Sequence, residues 1–371
     1  MLKLLHCGDF HLDSPFSSLD VKRSEERRRG LCRVFARVME LASECECDAV
    51  LIAGDLFDCS YICPDTVAAM KDAFAGYGKP VIVAPGNHDP YTDGSIWASR
   101  RAVFPENLHV FRSEELSSFD FPELALTVWG YAFTSDRLDR SPLSGAGSLS
   151  RPGRTGVLCA HADIVSPLSK YAPVTPRELA DSRLSYAALG HVHNPPEPAV
   201  YGATVAAYCG FPEGRGFDEC GEHGFVVIDI DDEKYTLKSE FINMASRQLY
   251  NVLVDVSECL TTAEVGNRIN DRLLEENIDE KHMVKVSLVG KVDIECDINI
   301  ELLTKQFEEN YFFFKIKNET ALTFNYEKFA LDVSLKGEFV RTVMQEDSLE
   351  DEEKATIIRY GLEALAGEEI D

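Results

Sequence analysis

Leu2-Lys3-Leu4-Leu5-His6-Cys7-Gly8-Asp9-Phe10-His11 opens the chain with a short apolar run that stops abruptly at glycine, an acid and an imidazole. The pattern recurs. The run 49–53 stops at Gly54-Asp55, 80–84 at Gly86-Asn87-His88-Asp89, 156–159 at His161, and 186–189 at Gly190-His191-Val192-His193. Runs this short, rich in Val, Ile and Leu and closed by turn residues, read as buried strands. Helices are expected between them, over 24–43 (Leu31, Phe35, Val38, Met39 and Leu41 on one face) and over 65–77. Strands alternating with helices predict an α/β domain. In open α/β sheets ligands sit beyond the carboxyl ends of the strands, which is where these polar residues cluster.

Working outward, the strands at 126–131, 204–208, 225–230 and 236–242 alternate more clearly and suggest a second, more antiparallel sheet packed on the first. The polar stretch 134–156 carries Arg137, Arg140, Arg151 and Arg154, and reads either as a loop facing a nucleic acid or partner or as a plain mobile loop. A boundary falls near 243–251. Beyond it come a strand at 249–256, a helix at 262–277 opened by the capping box Thr261-x-x-Glu264, a strand at 283–289, a helix at 300–309 and a strand at 312–316. The expected organisation is a catalytic domain over 1–242, a small α/β cap domain over 250–345, and an acidic C-terminal helix or tail over 346–371. Ile357, Ile358, Leu362 and Leu365 give that helix an apolar stripe, which either packs on its own domain or docks on a partner.

The chain has 371 residues, with 37 Lys+Arg against 63 Asp+Glu and a net charge of −26. That balance argues against a broad nucleic-acid cradle, so attraction for an anion has to be local or come from a partner. No run approaches the roughly 18 apolar residues of a membrane span. The opening residues lack the apolar core of a signal peptide. A soluble cytoplasmic protein with no membrane role is expected. Eleven cysteines, an odd number in a long chain, do not make a disulfide framework. Cys45-x-Cys47 and Cys59-x₃-Cys63 do not have the spacing of zinc knuckles.

The five strand-end motifs supply imidazole, carboxylate and amide donors and no thiolate, a set that suits Mn²⁺, Fe, Zn²⁺ or Mg²⁺. A pair of cations needs one bridging carboxylate and separate flanking ligands. Asp55 is the expected bridge, because Gly54 lets the backbone turn sharply before it. One cation would then take Asp9, His11, Asp55 and His193, and the other Asp55, Asn87, His161 and His191. Two divalent ions against Asp9 and Asp55 leave the site at about +2, enough to bind a phosphate in spite of the global charge. His88, beside Asn87, is expected to act as a general acid, with Asp89 orienting it and raising its pKa. His6, His109, His223 and His282 read as structural.

These motifs resemble the calcineurin-like metallophosphoesterase superfamily, and within it the SbcD-type DNA repair exonucleases, nearest to a YhaO-like branch. Residues 5–16 carry the resemblance, as does Gly210-Phe211-Pro212-Glu213-Gly214-Arg215 followed by Gly221 and Gly224. The resemblance covers 1–240 well and extends weakly into the small second domain, which is similar to the cap that contacts DNA in that family. It implies a four-layer αββα sandwich, the metal assignment given above with Mn²⁺ favoured, His88 as the acid, and DNA as substrate class. An SbcC-like coiled-coil ATPase partner and a homodimer are further implications. Several relatives carry histidine where this chain has Asp58, so a second catalytic histidine is not expected. Arg27 and Arg28 at the start of the first helix, and Arg100-Arg101 after the His88 motif, are the local candidates for DNA contacts.

Two other readings stay open. A phosphodiesterase or phosphatase acting on a small molecule would use the same cation site. A non-enzymatic scaffold would keep the fold, although a scaffold has no need of Asn87 or His161.

Overall fold

The computed structural model describes residues 1–58, 62–99, 103–166, 168–193, 197–231, 236–293, 296, 298–323 and 332–366. It divides into two compact units, Met1–Gln248 and Leu249–Asp371.

In the first unit the opening run forms β1 (Leu2–Cys7). It is followed by α1 (Val21–Glu44), β2 (Ala49–Ile52), α2 (Pro64–Tyr77), β3 (Val81–Val83) and β4 (Leu108–Val110). Then come β5 (Ser117–Phe121), β6 (Leu126–Gly130), β7 (Thr155–His161), α3 (Pro176–Ser182), β8 (Tyr186–Gly190), β9 (Ala199–Tyr201), β10 (Thr204–Tyr208), β11 (Gly224–Asp231) and β12 (Thr236–Asn243). Two six-stranded sheets result, ordered β12-β11-β1-β2-β3-β4 and β5-β6-β7-β8-β10-β9.

This partition corrects the sequence reading in two places. The antiparallel strands β11 and β12 extend the first sheet, with Leu2 opposite Ile230. The second sheet is parallel through β6, β7, β8 and β10, and antiparallel only at its edges β5 and β9. The physical reason is burial on both faces. Every residue of β2 and β8 is buried, so neither strand alternates and sheet membership leaves no periodic trace.

Alternate side chains of the first sheet feed two cores. Leu5, Cys7, Val50 and Ile52 meet Leu31, Phe35, Val38 and Phe74 of α1 and α2. Leu4, Ala49, Leu51 and Ile82 meet Val128, Val157, Cys159 and Tyr186 of the second sheet. A third core lies on the far side of the second sheet, where Leu158, Ala187 and Leu189 pack with Leu138, Leu143 and Leu179. The result is the expected α/β sandwich, with α3 and the packed segment 134–154 as its outer cover. That segment is neither a plain loop nor a free basic surface. Its leucines are buried, Arg151 and Arg154 pair with Asp120, and Arg140 pairs with Glu114 and Glu115.

In the second unit, β13 (Leu249–Asp255), β14 (Met283–Val289) and β16 (Phe313–Asn318) form a parallel sheet, packed with α4 (Thr262–Glu275) and α5 (Ile300–Glu308). The Thr261–Glu264 capping box starts α4 as its spacing predicts. β15 (Lys291–Asp293) pairs with β17 (Ala321–Thr323). Helices α6 (Leu335–Met344) and α7 (Asp351–Ala366) pack through Val340, Ala355 and Ile358. Among the described residues no helix is long and apolar enough to cross a membrane.

Candidate metal centre

The carboxyl ends of β1, β2, β3, β7 and β8 converge, and backbone contacts set their loops. Asp9 N–H donates to Gly54 O at 3.0 Å and His11 N–H to Asp55 O at 3.0 Å. His191 N–H donates to Asp9 Oδ2 at 3.0 Å, and His88 N–H to Asp55 Oδ1 at 2.9 Å. Glycines allow this closeness: a Cβ at Gly86 would fall 2.1 Å from Asp55 Oδ1. Asp9, His11, Asp55 and His191 all take positive φ, of 49°, 46°, 47° and 104°.

Ligating atoms of Asp9, His11 and His193 lie within 4.8 Å of one another, and so do those of Asp9, Asp55 and His161. His161 Nε2 is 3.3 Å from Asp55 Oδ2 and 2.9 Å from Asn87 Oδ1. His161 Nδ1 donates to Ala53 O at 3.1 Å, which leaves Nε2 as the bare nitrogen facing two oxygens. His191 sits at the edge of this group, its ring edge-on to His161 at 5.1 Å and tilted against Tyr171 at 4.7 Å.

The residues fit a cation pair. His11 Nε2 is buried with no hydrogen-bond partner and stands 3.8 Å from Asp55 Oδ2, while its Nδ1 is held by Asp58 Oδ1 at 2.9 Å. An orphaned imidazole nitrogen whose other nitrogen is bound to a carboxylate is the arrangement of a metal-ligating histidine. Burial, and then the charge of Asp55, pushes the Asp9 carboxyl well above the usual range, so two carboxylates placed together here call for compensating positive charge. Burial also lowers His161, and brings His191 down to about 4, keeping both imidazoles neutral and able to donate a lone pair.

A family model for calcineurin-like phosphoesterases matches residues 2–202. The chain belongs to that family. It is 27% identical over 285 residues to the uncharacterized metallophosphoesterase YhaO of Bacillus subtilis, an alignment covering 73% of this chain and 67% of YhaO. It is 28% identical over 303 residues to the DNA double-strand break repair protein Mre11 of Aeropyrum pernix, covering 74% and 68%. With the Mre11 of Methanopyrus kandleri it shares 23% identity over 344 residues, covering 83% and 72%. Calcineurin-like phosphoesterases are hydrolases that bind two divalent metals.

In this phosphoesterase, carboxylates outside the expected ligand set make contacts that the sequence reading assigned elsewhere or missed. Asp58, not Asp89, faces His88: its Oδ1 is 3.1 Å from His88 Nδ1. That hydrogen bond is the main reason His88 is raised above the usual imidazole range. Asp58 itself is held well below the carboxylate range; burial works upward, but hydrogen bonds from His11 and His88 outweigh it. Asp89 is buried and accepts from Gly86 N–H at 2.8 Å and Leu56 N–H at 3.1 Å, so it ties two phosphoesterase loops together and does not orient His88. Glu219 accepts from His193 Nδ1 at 2.7 Å and does for His193 what Asp58 does for His11. Asp58 was visible in the sequence, three residues beyond Asp55, as the position where several relatives carry histidine. Glu219, 26 residues beyond His193, left no spacing signal.

Arg27 is also corrected. It is fully buried, paired with Glu213 and the Gly214 carbonyl, and lies over the Phe16 ring, so it cannot meet DNA. Arg28 remains partly exposed, with Nη1 donating to Pro15 O at 3.3 Å. Arg100 and Arg101 lie outside the described residues.

Proposed function

We propose that this chain is a two-metal-dependent phosphodiesterase that hydrolyses DNA phosphodiester bonds, an SbcD-like nuclease in DNA repair working with a coiled-coil ATPase. The observation that carries the hydrolytic reading is His11: a buried imidazole with one nitrogen fastened to Asp58 and the other bare among Asp9, Asp55 and His193. The resemblance to Mre11 proteins of DNA double-strand break repair supports DNA as the substrate.

Asp9, His11, Asp55 and His193 would hold one ion, and Asp55, Asn87, His161 and His191 the other, with Mn²⁺ the favoured metal and Mg²⁺, Fe or Zn²⁺ its competitors. When bound, two divalent ions supply the positive charge that receives a phosphate and lower the pKa of water enough for attack at neutral pH. The chain's own residues do the rest. Asp58 holds His88 through Nδ1 and favours its charged form, which leaves Nε2 to give a proton to the leaving oxygen. Asp58 and Glu219 fix the rings of His11 and His193. The second unit would act as a cap over the polymer, and α7 would dock on the ATPase.

One observation favours the small-molecule reading: Arg27, Arg151 and Arg154 are engaged within the protein, which leaves less positive surface for a polymer. Parallel assays on duplex DNA, single-stranded DNA and bis(p-nitrophenyl) phosphate, each with Mn²⁺, Mg²⁺, Fe²⁺ and Zn²⁺ after chelation, separate the readings. Cleavage of DNA supports the nuclease. Turnover of the small diester alone selects the alternative, and no turnover with any metal leaves the scaffold. Pull-down of the ATPase with and without residues 346–371 tests the docking role, which unchanged capture would remove.

A further inference from the structure

The guanidinium of Arg215 reaches both outer carboxylates of the site. Nη1 stands 3.2 Å from Asp58 Oδ1 and Nη2 3.1 Å from Glu219 Oε1, while its backbone N–H donates to Glu219 Oε2 at 2.7 Å. These carboxylates face His11 Nδ1 at 2.9 Å and His193 Nδ1 at 2.7 Å. His11 and His193, with Asp9, form one of the clusters of ligating atoms. The side chain is 23% exposed and lies between two acids, so its charge is already matched and is not free for a substrate phosphate.

The segment carrying Arg215 is itself anchored. Glu213, 2% exposed, is clasped by Arg27 and by Ser246 Oγ at 2.7 Å. Glu219 N–H closes the turn onto Gly216 O at 2.9 Å. A rigid arm therefore delivers one planar fork to two carboxylates, a geometry that guanidinium satisfies and ammonium does not.

We propose that Arg215 is a positioning residue for one of the two metal ions: it locks Asp58 and Glu219 together, and so keeps His11 Nε2 and His193 Nε2 aimed at the same ion. The proposal rests on the two-metal reading above. It predicts that Arg215 acts on one ion only, because His161 is held by the Ala53 carbonyl instead.

The test is stepwise Mn²⁺ titration of the metal-stripped full chain, followed by calorimetry and by the electron paramagnetic resonance signature of coupled against isolated Mn²⁺. In Arg215→Met one of the two ions should bind about 10–100-fold more weakly, the scale of loss when an outer partner is removed. The coupled signal should give way to that of an isolated ion. Arg215→Lys should recover only part of the loss, and Glu219→Gln should weaken the same ion. If Arg215→Met fails to fold, the lysine and Glu219→Gln variants decide by the same two readouts. Wild type loading two ions while the variants load both with unchanged affinity overturns the role of Arg215 and leaves the metal site standing. Wild type that does not load two ions removes the two-metal reading, and this inference with it.

Discussion

A Cβ added at Gly190 would fall 1.9 Å from the carbonyl oxygen of Ala53. Gly190 closes β8 in the second sheet and Ala53 follows β2 in the first, so the two sheets touch backbone to backbone just where each delivers a residue to the candidate metal site. Gly190→Ala must push the two apart. We expect a loss of about 1–3 kcal/mol in the metal-free protein, the usual cost of overpacking, together with weaker Mn²⁺ binding. Thermal unfolding with and without Mn²⁺ checks both, and an unchanged midpoint would contradict the close approach.

Asp58 and Asp89 should fail differently. Asp58→Asn removes the anionic partner of His88 and His11, and is expected to cut kcat by about 10–100-fold with the fold intact. Asp89→Asn should lower stability first, since Asp89 holds the Gly86 and Leu56 amides. His88→Ala should abolish turnover and keep the metal. Steady-state kinetics beside calorimetric Mn²⁺ counts distinguish the three; persisting activity in His88→Ala would assign the acid elsewhere.

Arg27→Met leaves Glu213 buried without its charged partner, and is expected to cost about 3–5 kcal/mol. Arg27→Met combined with Glu213→Leu should recover much of that. Urea denaturation of the two variants is the measurement. A single variant as stable as wild type would mean that the pair is not buried in solution.

His6 provides a pH dependence from outside the candidate ligand set. Burial lowers it from 6.5 to about 3, and it lies against Tyr186 Oη at 3.0 Å. The unfolded chain binds its proton near pH 6.5 and the folded chain only near 3, so the stabilisation is present above 6.5 and is lost as pH falls towards 3. In that window stability should drop by up to about 1.4 kcal/mol per pH unit for this one group. His6→Gln should flatten that part of the curve, as read from metal-free denaturation midpoints between pH 4 and 7.

The loops that converge on the candidate metal site were legible because each ends a short apolar run, and a strand end followed by Gly-Asp or Gly-Asn-His carries its position locally. Sheet membership was not, because pairs such as Leu2 with Ile230 are distant in sequence and both faces of the central strands are buried. Arg27 could have been placed: it precedes Leu31, Val34, Phe35 and Val38 at helical spacing, on the buried stripe of α1. Reading Arg27 and Arg28 together as a local candidate for DNA contacts hid that periodicity. The roles of Glu219 and Arg215 depend on side-chain direction across a turn, which spacing alone does not encode.

The left-handed backbones at Asp9, His11, Asp55 and His191 have a consequence for anyone engineering this protein. A non-glycine residue held there stores of order 1–3 kcal/mol. Selection for heat resistance alone would therefore reward glycine or asparagine at these four positions. If these residues hold the ions as proposed, such a screen would yield a hardier sandwich that bound them less tightly, which is why screening should be done with metal present and loading scored alongside melting.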